Sequence, residues 1–265
     1  MTTMEFFATH SVFSLDEAVR VLAPESARST VVERLKHHLE VGRLQLVTRE
    51  IYAVVPPGSQ ASKFQPDPYL VAVAVKPDAV YSHHSALELL GAAHSAWNQL
   101  TLFTARRRRP ILMKDATVRF LDIPGPFRAG PWGNLGTRQA ERQGQLLRTT
   151  GPERTLVEGF HRPDLVGGLE ELVLSAAGFP TLDMELLGEV LERYRVRKLW
   201  AAAGWFLERF KNTFQVPDSV LGRFEKQRPR SPHYLERNSR GGTFSSRWNL
   251  ILPSALRKVG GPDEA

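Results

Sequence analysis

The sequence predicts an α/β protein of the α+β kind, and three observations carry that expectation. Near the N-terminus, two stretches of helical period are followed by two short strand-like runs. Residues 98–123 then change to short β-rich runs, at the spacing of a small antiparallel sheet. After Thr150 the pattern turns mostly helical, which places a helical part at the C-terminal end of a mixed domain.

Ser14-Leu15-Asp16-Glu17 opens the first clear helix, with serine at the N-cap and glutamate three residues on, the spacing of a capping box. Leu15, Ala18, Val19 and Leu22 supply its apolar stripe, and Ala23-Pro24-Glu25-Ser26 breaks it, because proline drives the preceding residue out of helical geometry. A second helix runs to about Val41, where Gly42 suits the left-handed position that ends many helices. Leu44 to Val47 and Ile51 to Val55 are strand-like runs around Thr48-Arg49-Glu50. Helix, turn, helix and hairpin is the order of a winged helix-turn-helix, here expected over residues 1–58. Pro56-Pro57-Gly58-Ser59-Gln60 closes that unit, and a second domain is expected over 64–265.

Within that second part, Asp67 to Val75 reads as a helix, as does SHHSALELLG, capped near Ser82 and ended by Gly91. QLTLFTA, PILM and TVRFLDI are the sheet runs, and the glycine- and proline-rich GPFRAGPWGNLGTR reads as loop. Thr150-Gly151-Pro152-Glu153 fits another capping box, with proline in the first turn where its missing N–H is not needed. Helices follow at about 152–160, 167–177, 183–194, 196–211 and 217–226, and RWNLILP reads as one late strand. Ala201-Ala202-Ala203-Gly204 marks a place where helices pack closely, and Trp200, Trp205, Phe206 and Phe210 belong to the core.

On a helical wheel, Val31, Val32, Leu35 and Leu39 fall within one arc, leaving Ser29, Thr30, Glu33, Arg34, Lys36, His37 and Glu40 on the other side. The N-terminal part of a second helix of this kind enters the DNA major groove. Ser29, Thr30 and Arg34, with Arg28 just before them and His37 one turn on, are therefore candidates for base or phosphate contact. Arg43, Thr48 and Arg49 are candidates for holding phosphate from the wing. Such units also serve as protein-binding modules, and Glu33 and Glu40 oppose phosphate, so the pattern alone leaves both open.

Charge is unevenly placed. Residues 1–60 carry six Lys/Arg against seven Asp/Glu, residues 61–150 twelve against six, and residues 151–265 seventeen against fifteen, within a net charge of +7. The densest run, Arg106, Arg107, Arg108 and Arg109, could clamp a phosphate backbone or an acidic protein, or could be a solvated β-turn at a sheet edge. The cluster Arg193-Tyr194-Arg195-Val196-Arg197-Lys198 fits charges that complement a helix dipole. Cysteine is absent, which excludes disulfides, thiolate metal sites and cysteine catalysis. His37-His38 and His83-His84 point about 100° apart on a helix, unlike the i, i+4 pairs of zinc-binding helices, so no metal and no cofactor are expected. No Gly-x-Ser-x-Gly, no phosphate-binding Gly-x-x-x-x-Gly-Lys and no Glu-x-Lys or Asp-x-Lys occurs, which argues against an enzyme. No apolar run approaches the roughly 20 residues that span a bilayer, and MTTMEFFATHSVF lacks a secretory pattern, so a cytoplasmic protein with no membrane partner is expected.

Four blocks in order resemble one family. FSLDEAVRVL…ARSTVVERLKHHLEVGRLQLVTREIYAVVP resembles the winged-helix domain of AbiEi-type antitoxins, and DPYLVAVAVKPDAVYSHHSALELLG the segment that follows it there. GPERTLVEGFHRPDLVGGLEELV and SPHYLERNSRGGTFSSRWNLILP resemble the C-terminal antitoxin region. The resemblance implies a bacterial toxin–antitoxin and phage-defence role. In it the winged helix represses its own operon at inverted repeats, and the C-terminal region counteracts a nucleotidyltransferase-type toxin. Carried onto this chain, it puts operator contacts at Arg28, Ser29, Thr30 and Arg34, with the wing at Arg49, on a protein expected to be monomeric in solution. The chain departs from the family in its net acidic N-terminal unit and in a short N-terminus with little room for a leading helix. The alternative is a stand-alone winged-helix regulator whose C-terminal domain senses a ligand.

Overall fold

The computed structural model describes residues 1–23, 27–106, 108–236, 241–257 and 259, with the side chains of Pro131 and Trp132 excepted. The fold is α+β, as expected, with helices and three sheets. Residues group into two units, 1–79 with 109–118, and 80–108 with 119–265.

The first unit opens with a leading helix, for which the short N-terminus left little room in expectation: α1 (Thr3–Thr9). Its seven residues are held by a complete capping box: the Glu5 N–H donates to Thr2 Oγ1 (3.3 Å) and the Thr2 N–H to Glu5 Oε2 (2.7 Å). Phe6 and Phe7 bury its inner face, Phe6 with its ring 4.8 Å from that of Phe13. Strand β1 (Val12–Ser14) follows, then α2 (Leu15–Leu22), whose Ser14 cap accepts the Glu17 N–H at 3.2 Å. The break expected at Pro24-Glu25-Ser26 lies outside the described residues. Then come α3 (Arg28–Glu40), β2 (Leu44–Thr48) and β3 (Ile51–Val54), with Gly42 in the expected left-handed conformation at φ +70°.

The wing is a three-stranded antiparallel sheet of order β1-β3-β2, because β1 pairs with β3 at Val12↔Ala53. Alternation splits its side chains. Phe13, Leu44 and Tyr52 join the cluster made by α1, α2 and α3, whereas Val12, Ile51 and Ala53 are buried outside that cluster. Helix α4 (Pro68–Val75), capped by Asp67 Oδ1 on the Tyr69 N–H (2.8 Å), packs on β1 and β3. That second covered face explains why β3 is apolar throughout rather than alternating.

The six-stranded sheet is larger than expected and mixed rather than antiparallel; most of its strands fall in the second unit, while residues 111–118 group with the first. Its strands are β4 (Val80–Tyr81), β5 (Gln99–Thr104), β6 (Ile111–Leu112), β7 (Thr117–Asp122), β8 (Thr137–Arg142) and β9 (Gln145–Thr150), in the order β6-β7-β5-β4-β9-β8. The β4–β9 pairing, Tyr81↔Thr149, is parallel. The β8–β9 hairpin was hidden from pattern reading by its exposed, polar strand β8. It turns at Gln143-Gly144, whose φ values of 50° and 79° match the primed turns that suit hairpin twist. GPFRAGPWGNLGTR holds two short 3-10 turns, 125–127 and 130–134, before β8 begins.

The helices after α5 (His84–Leu89) are α6 (Pro152–His161), α7 (Leu169–Ala177), α8 (Met184–Tyr194), α9 (Arg197–Arg209) and α10 (Asp218–Lys226), close to the expected spans. The late strand, β12 (Leu250–Leu252), has two companions, β10 (His233–Tyr234), parallel to it, and β11 (Thr243–Ser245), antiparallel. Trp200, Trp205 and Phe206 are core, with Phe210 packed at its margin. The small-residue run in α9 does mark a close approach, but its partner at Gly204 is the ring of Trp248 rather than another helix.

The capping box expected at Thr150 is not formed. Gly151 is the N-cap of α6, without a side-chain cap, and Glu153 turns inward to accept the Asp183 N–H at 2.8 Å. All of α6 from Pro152 to Phe160 is buried, so its carboxylates serve the interior.

Candidate nucleic-acid interface

Helix α3 divides as its wheel requires. Val31 and Leu35 are buried and Val32 and Leu39 half-buried, while Ser29, Thr30, Glu33, Arg34, Lys36, His37 and Glu40 are exposed. His38 joins the buried face, its ring edge-on to Phe7 at 4.9 Å. Burial, then the electrostatic influence of neighbouring Arg43, His37 and Arg34, pulls its pKa below the usual imidazole value. The two histidines are thus divided: His38 is a packing residue and His37 a surface one.

The candidate residues are not all equally available. Arg28 is bonded to two carboxylates, Asp16 on α2 and Glu50 on the hairpin turn (3.0 Å). Those bonds hold its pKa above the ordinary arginine value. Ser29, Thr30 and Arg34 stand on the exposed first turns of α3 beside it. Thr48 and Arg49 are at the wing tip, where Thr48 pairs with Ile51 and only Arg49 and Glu50 make the turn. Glu50 sits in the left-handed region at φ 61°. Arg43 is not at that tip. It precedes β2 at the base of the hairpin, five residues or roughly 17 Å of extended strand away, beside the C-terminal end of α3. Its N–H donates to the His38 carbonyl at 2.9 Å. Lys36, on the same exposed face as Arg34 and His37, was not among the candidates, although the wheel already placed it there.

The arginine run leaves β5 for the sheet-edge strand β6 and skips β7, so it is a connection across strands rather than a hairpin turn. Arg106, Arg108 and Arg109 are exposed, with the Arg108 guanidinium 5.7 Å from the Phe120 ring centre; Arg107 lies outside the described residues. The cluster 193–198 does not follow the dipole reading throughout. Arg193 is in the last turn of α8, where a cation is favourable, but Arg197 and Lys198 open α9, at the end where it is not.

The second unit also contains a buried charged group. The Arg154 Nε donates to Glu158 Oε1 at 2.8 Å and its Nη1 to the Leu135 carbonyl at 3.0 Å, with the guanidinium 4.0 Å above the Phe127 ring. The Tyr194 hydroxyl donates to Glu158 Oε1 at 3.2 Å. Burial raises the Glu158 carboxyl above its usual range and the Tyr194 hydroxyl well above its own. These groups tie α6 to α8 and to the turn before β8. His83 and His84 are buried too; His83, bonded to Ser82 Oγ at 2.9 Å, is held down to about 3 by burial. Among the described residues no group of three or more His, Asp or Glu is gathered to hold a metal ion, and no helix is long and apolar enough to cross a membrane.

No family model matches the chain, and no curated protein matches it. Among solved structures, it is similar to the RV2827C protein from Mycobacterium tuberculosis, with a TM-score of 0.58 and 18% sequence identity over 91% of this chain and 86% of that one. At that identity the likeness is one of fold.

Proposed function

We propose that the chain is a DNA-reading antitoxin: it represses its own operon through α3 and neutralises a nucleotidyltransferase-type toxin as part of phage defence. The observation that carries the DNA half is the exposed face of α3. It offers Ser29, Thr30 and Arg34 together, with Thr48 and Arg49 on a two-residue wing. An arginine fork can take guanine O6 and N7, and small hydroxyls allow close approach. The antitoxin half rests on the ordered sequence resemblance, with one monomer per half-site of an inverted repeat.

The test is binding of the full chain to its own promoter duplex, measured by anisotropy across a salt series. Arg34→Ala should weaken binding by roughly 10- to 100-fold and relax preference at one base position. Arg49→Ala should weaken all sequences alike and reduce the salt slope by about 0.9. Wild-type behaviour in both variants would sink the DNA reading. Co-expression with the product of the neighbouring gene tests the other half: growth arrest that this protein does not relieve would sink it.

A second reading, a regulator sensing a ligand in its C-terminal part, is favoured by a cavity of about 570 Å³ lined by Phe160, His161, Arg162, Val196 and Lys198. A small molecule that raises the melting temperature and alters promoter affinity would support it over the antitoxin reading.

A further inference from the structure

The three-stranded sheet β10-β12-β11 rests on the core through its middle strand alone, with His233 and Thr243 of the edge strands exposed, and its other face is open. Leu250 and Leu252 of the middle strand are buried in the core, so Ile251 between them faces outward. Tyr234 and Phe244 are both registered on Ile251, from opposite sides. The three therefore form one row across the open face, with the aromatics two strands, or roughly 9–10 Å, apart. Tyr234 is 52% exposed and Phe244 51%, so two large rings are left open to solvent side by side.

The ground beside Tyr234 is cationic. A groove of about 580 Å³ runs from Tyr234 and His233 past Arg230 to Arg197 and Lys198. On the other side of Arg197 and Arg230, a second of about 730 Å³ adds Lys226 and Arg228. Five cations thus line the pair. The one carboxylate among them, Glu225, already accepts bonds from Arg228 (2.8 Å) and Arg247 (3.0 Å). Arg230 and Lys226 are exposed and form no ion pair among the described residues. The N-terminus of α9 opens into the same place without a side-chain cap.

A track of cations leading to outward aromatics on a sheet matches single-stranded nucleic acid: phosphates follow the charge and unstacked bases lie on the rings. An acidic protein would satisfy the cations but gives no reason for two aromatics in register across the sheet. We propose that this surface, Arg197, Lys198, Lys226 and Arg230 with Tyr234 and Phe244, binds single-stranded nucleic acid, separately from the duplex reading proposed for α3.

The test uses the full chain and fluorescent 12-nucleotide oligo(U) and oligo(dT), with anisotropy read between 50 and 200 mM salt. Loss of binding in the variants for either strand supports the proposal, and the ratio of the two wild-type affinities separates RNA from DNA as its source. Arg197→Glu with Arg230→Glu should weaken binding at least tenfold and lower the salt slope by about 1.4. Tyr234→Ala and Phe244→Ala, at exposed positions that do not threaten the fold, should each weaken it roughly 5- to 100-fold. Arg34→Ala should leave it unchanged, so failure here and failure of the promoter reading are distinguishable. Four results would each overturn the proposal. They are no oligonucleotide binding, aromatic variants equal to wild type, equal loss of duplex binding in the charge variant with the aromatic ones neutral, or displacement of the strand by polyglutamate of equal charge, which would make the surface a site for acidic protein.

Discussion

Trp248 lays its indole against the bare α-carbon of Gly204. A Cβ added there would lie 2.1 Å from Trp248 Cζ3, and the ring is also fixed by its Nε1 donating to Glu208 Oε2 at 2.6 Å. Neither partner has room to yield, since Trp248 is fully buried. Gly204→Ala should therefore cost about 3 kcal/mol, the upper end for overpacking, despite alanine's better helix propensity. Urea unfolding followed by circular dichroism reads it out. Trp248→Leu in the same chain should recover part of the loss, and a Gly204→Ala protein as stable as wild type would contradict the contact.

The Arg154–Glu158 pair makes the opposite kind of prediction, in which the double change is milder than the two single changes added together. Both side chains are buried, only 2% and 1% exposed, so removing one leaves the other's charge without a counter-ion. Arg154→Leu and Glu158→Leu should each cost about 3–5 kcal/mol, and the double variant markedly less than the sum. A double-mutant cycle by denaturant titration measures this; strict additivity would show that the pair is not coupled.

His83 predicts an acid sensitivity. Its folded pKa of about 3 lies below the ordinary imidazole value of 6.5, so the unfolded chain binds the extra proton. The stability it supports is whole above pH 6.5 and is lost as pH falls toward 3. Between pH 7 and 5 the loss from this one side chain is about 2 kcal/mol. His38 and His161 are also held below the usual value by burial and add to the same slope. Guanidinium unfolding at pH 7 and pH 5 should show a smaller drop for His83→Gln than for wild type, and an unchanged drop would rule out a buried neutral imidazole there.

Arg28 is available to phosphate only if Asp16 and Glu50 release it. Asp16→Asn with Glu50→Gln should thus tighten promoter binding at low salt and steepen the salt slope by about 0.9, one additional phosphate contact. An unaltered slope would place Arg28 outside the DNA contact and leave it as the tie between α2 and the wing.

Helix spans after residue 150 were legible because each carries its own period and stop signals, as in α8 and α10. Strands were legible only where the run was apolar. β5 was, while β8, whose side chains are mostly exposed, was not, and β1 and β10 are too short to show a period. The outward face of α3 was readable from the wheel, but not the ion pairs of Arg28, which join residues 12 and 22 positions apart. Tyr234 and Phe244 meet across a third strand, and no linear pattern announces that register.

The first unit is not one continuous stretch of chain, because residues 109–118 belong with 1–79 while 80–108 belong with the rest. On a ribosome, which delivers the N-terminus first, this unit thus lacks its last piece until residue 118 has emerged. Nor can one peptide cleavage release it whole: a cut at 79 leaves that piece behind on the other fragment. Whatever protease removes this protein from a cell meets two units stitched by more than one crossing of the chain.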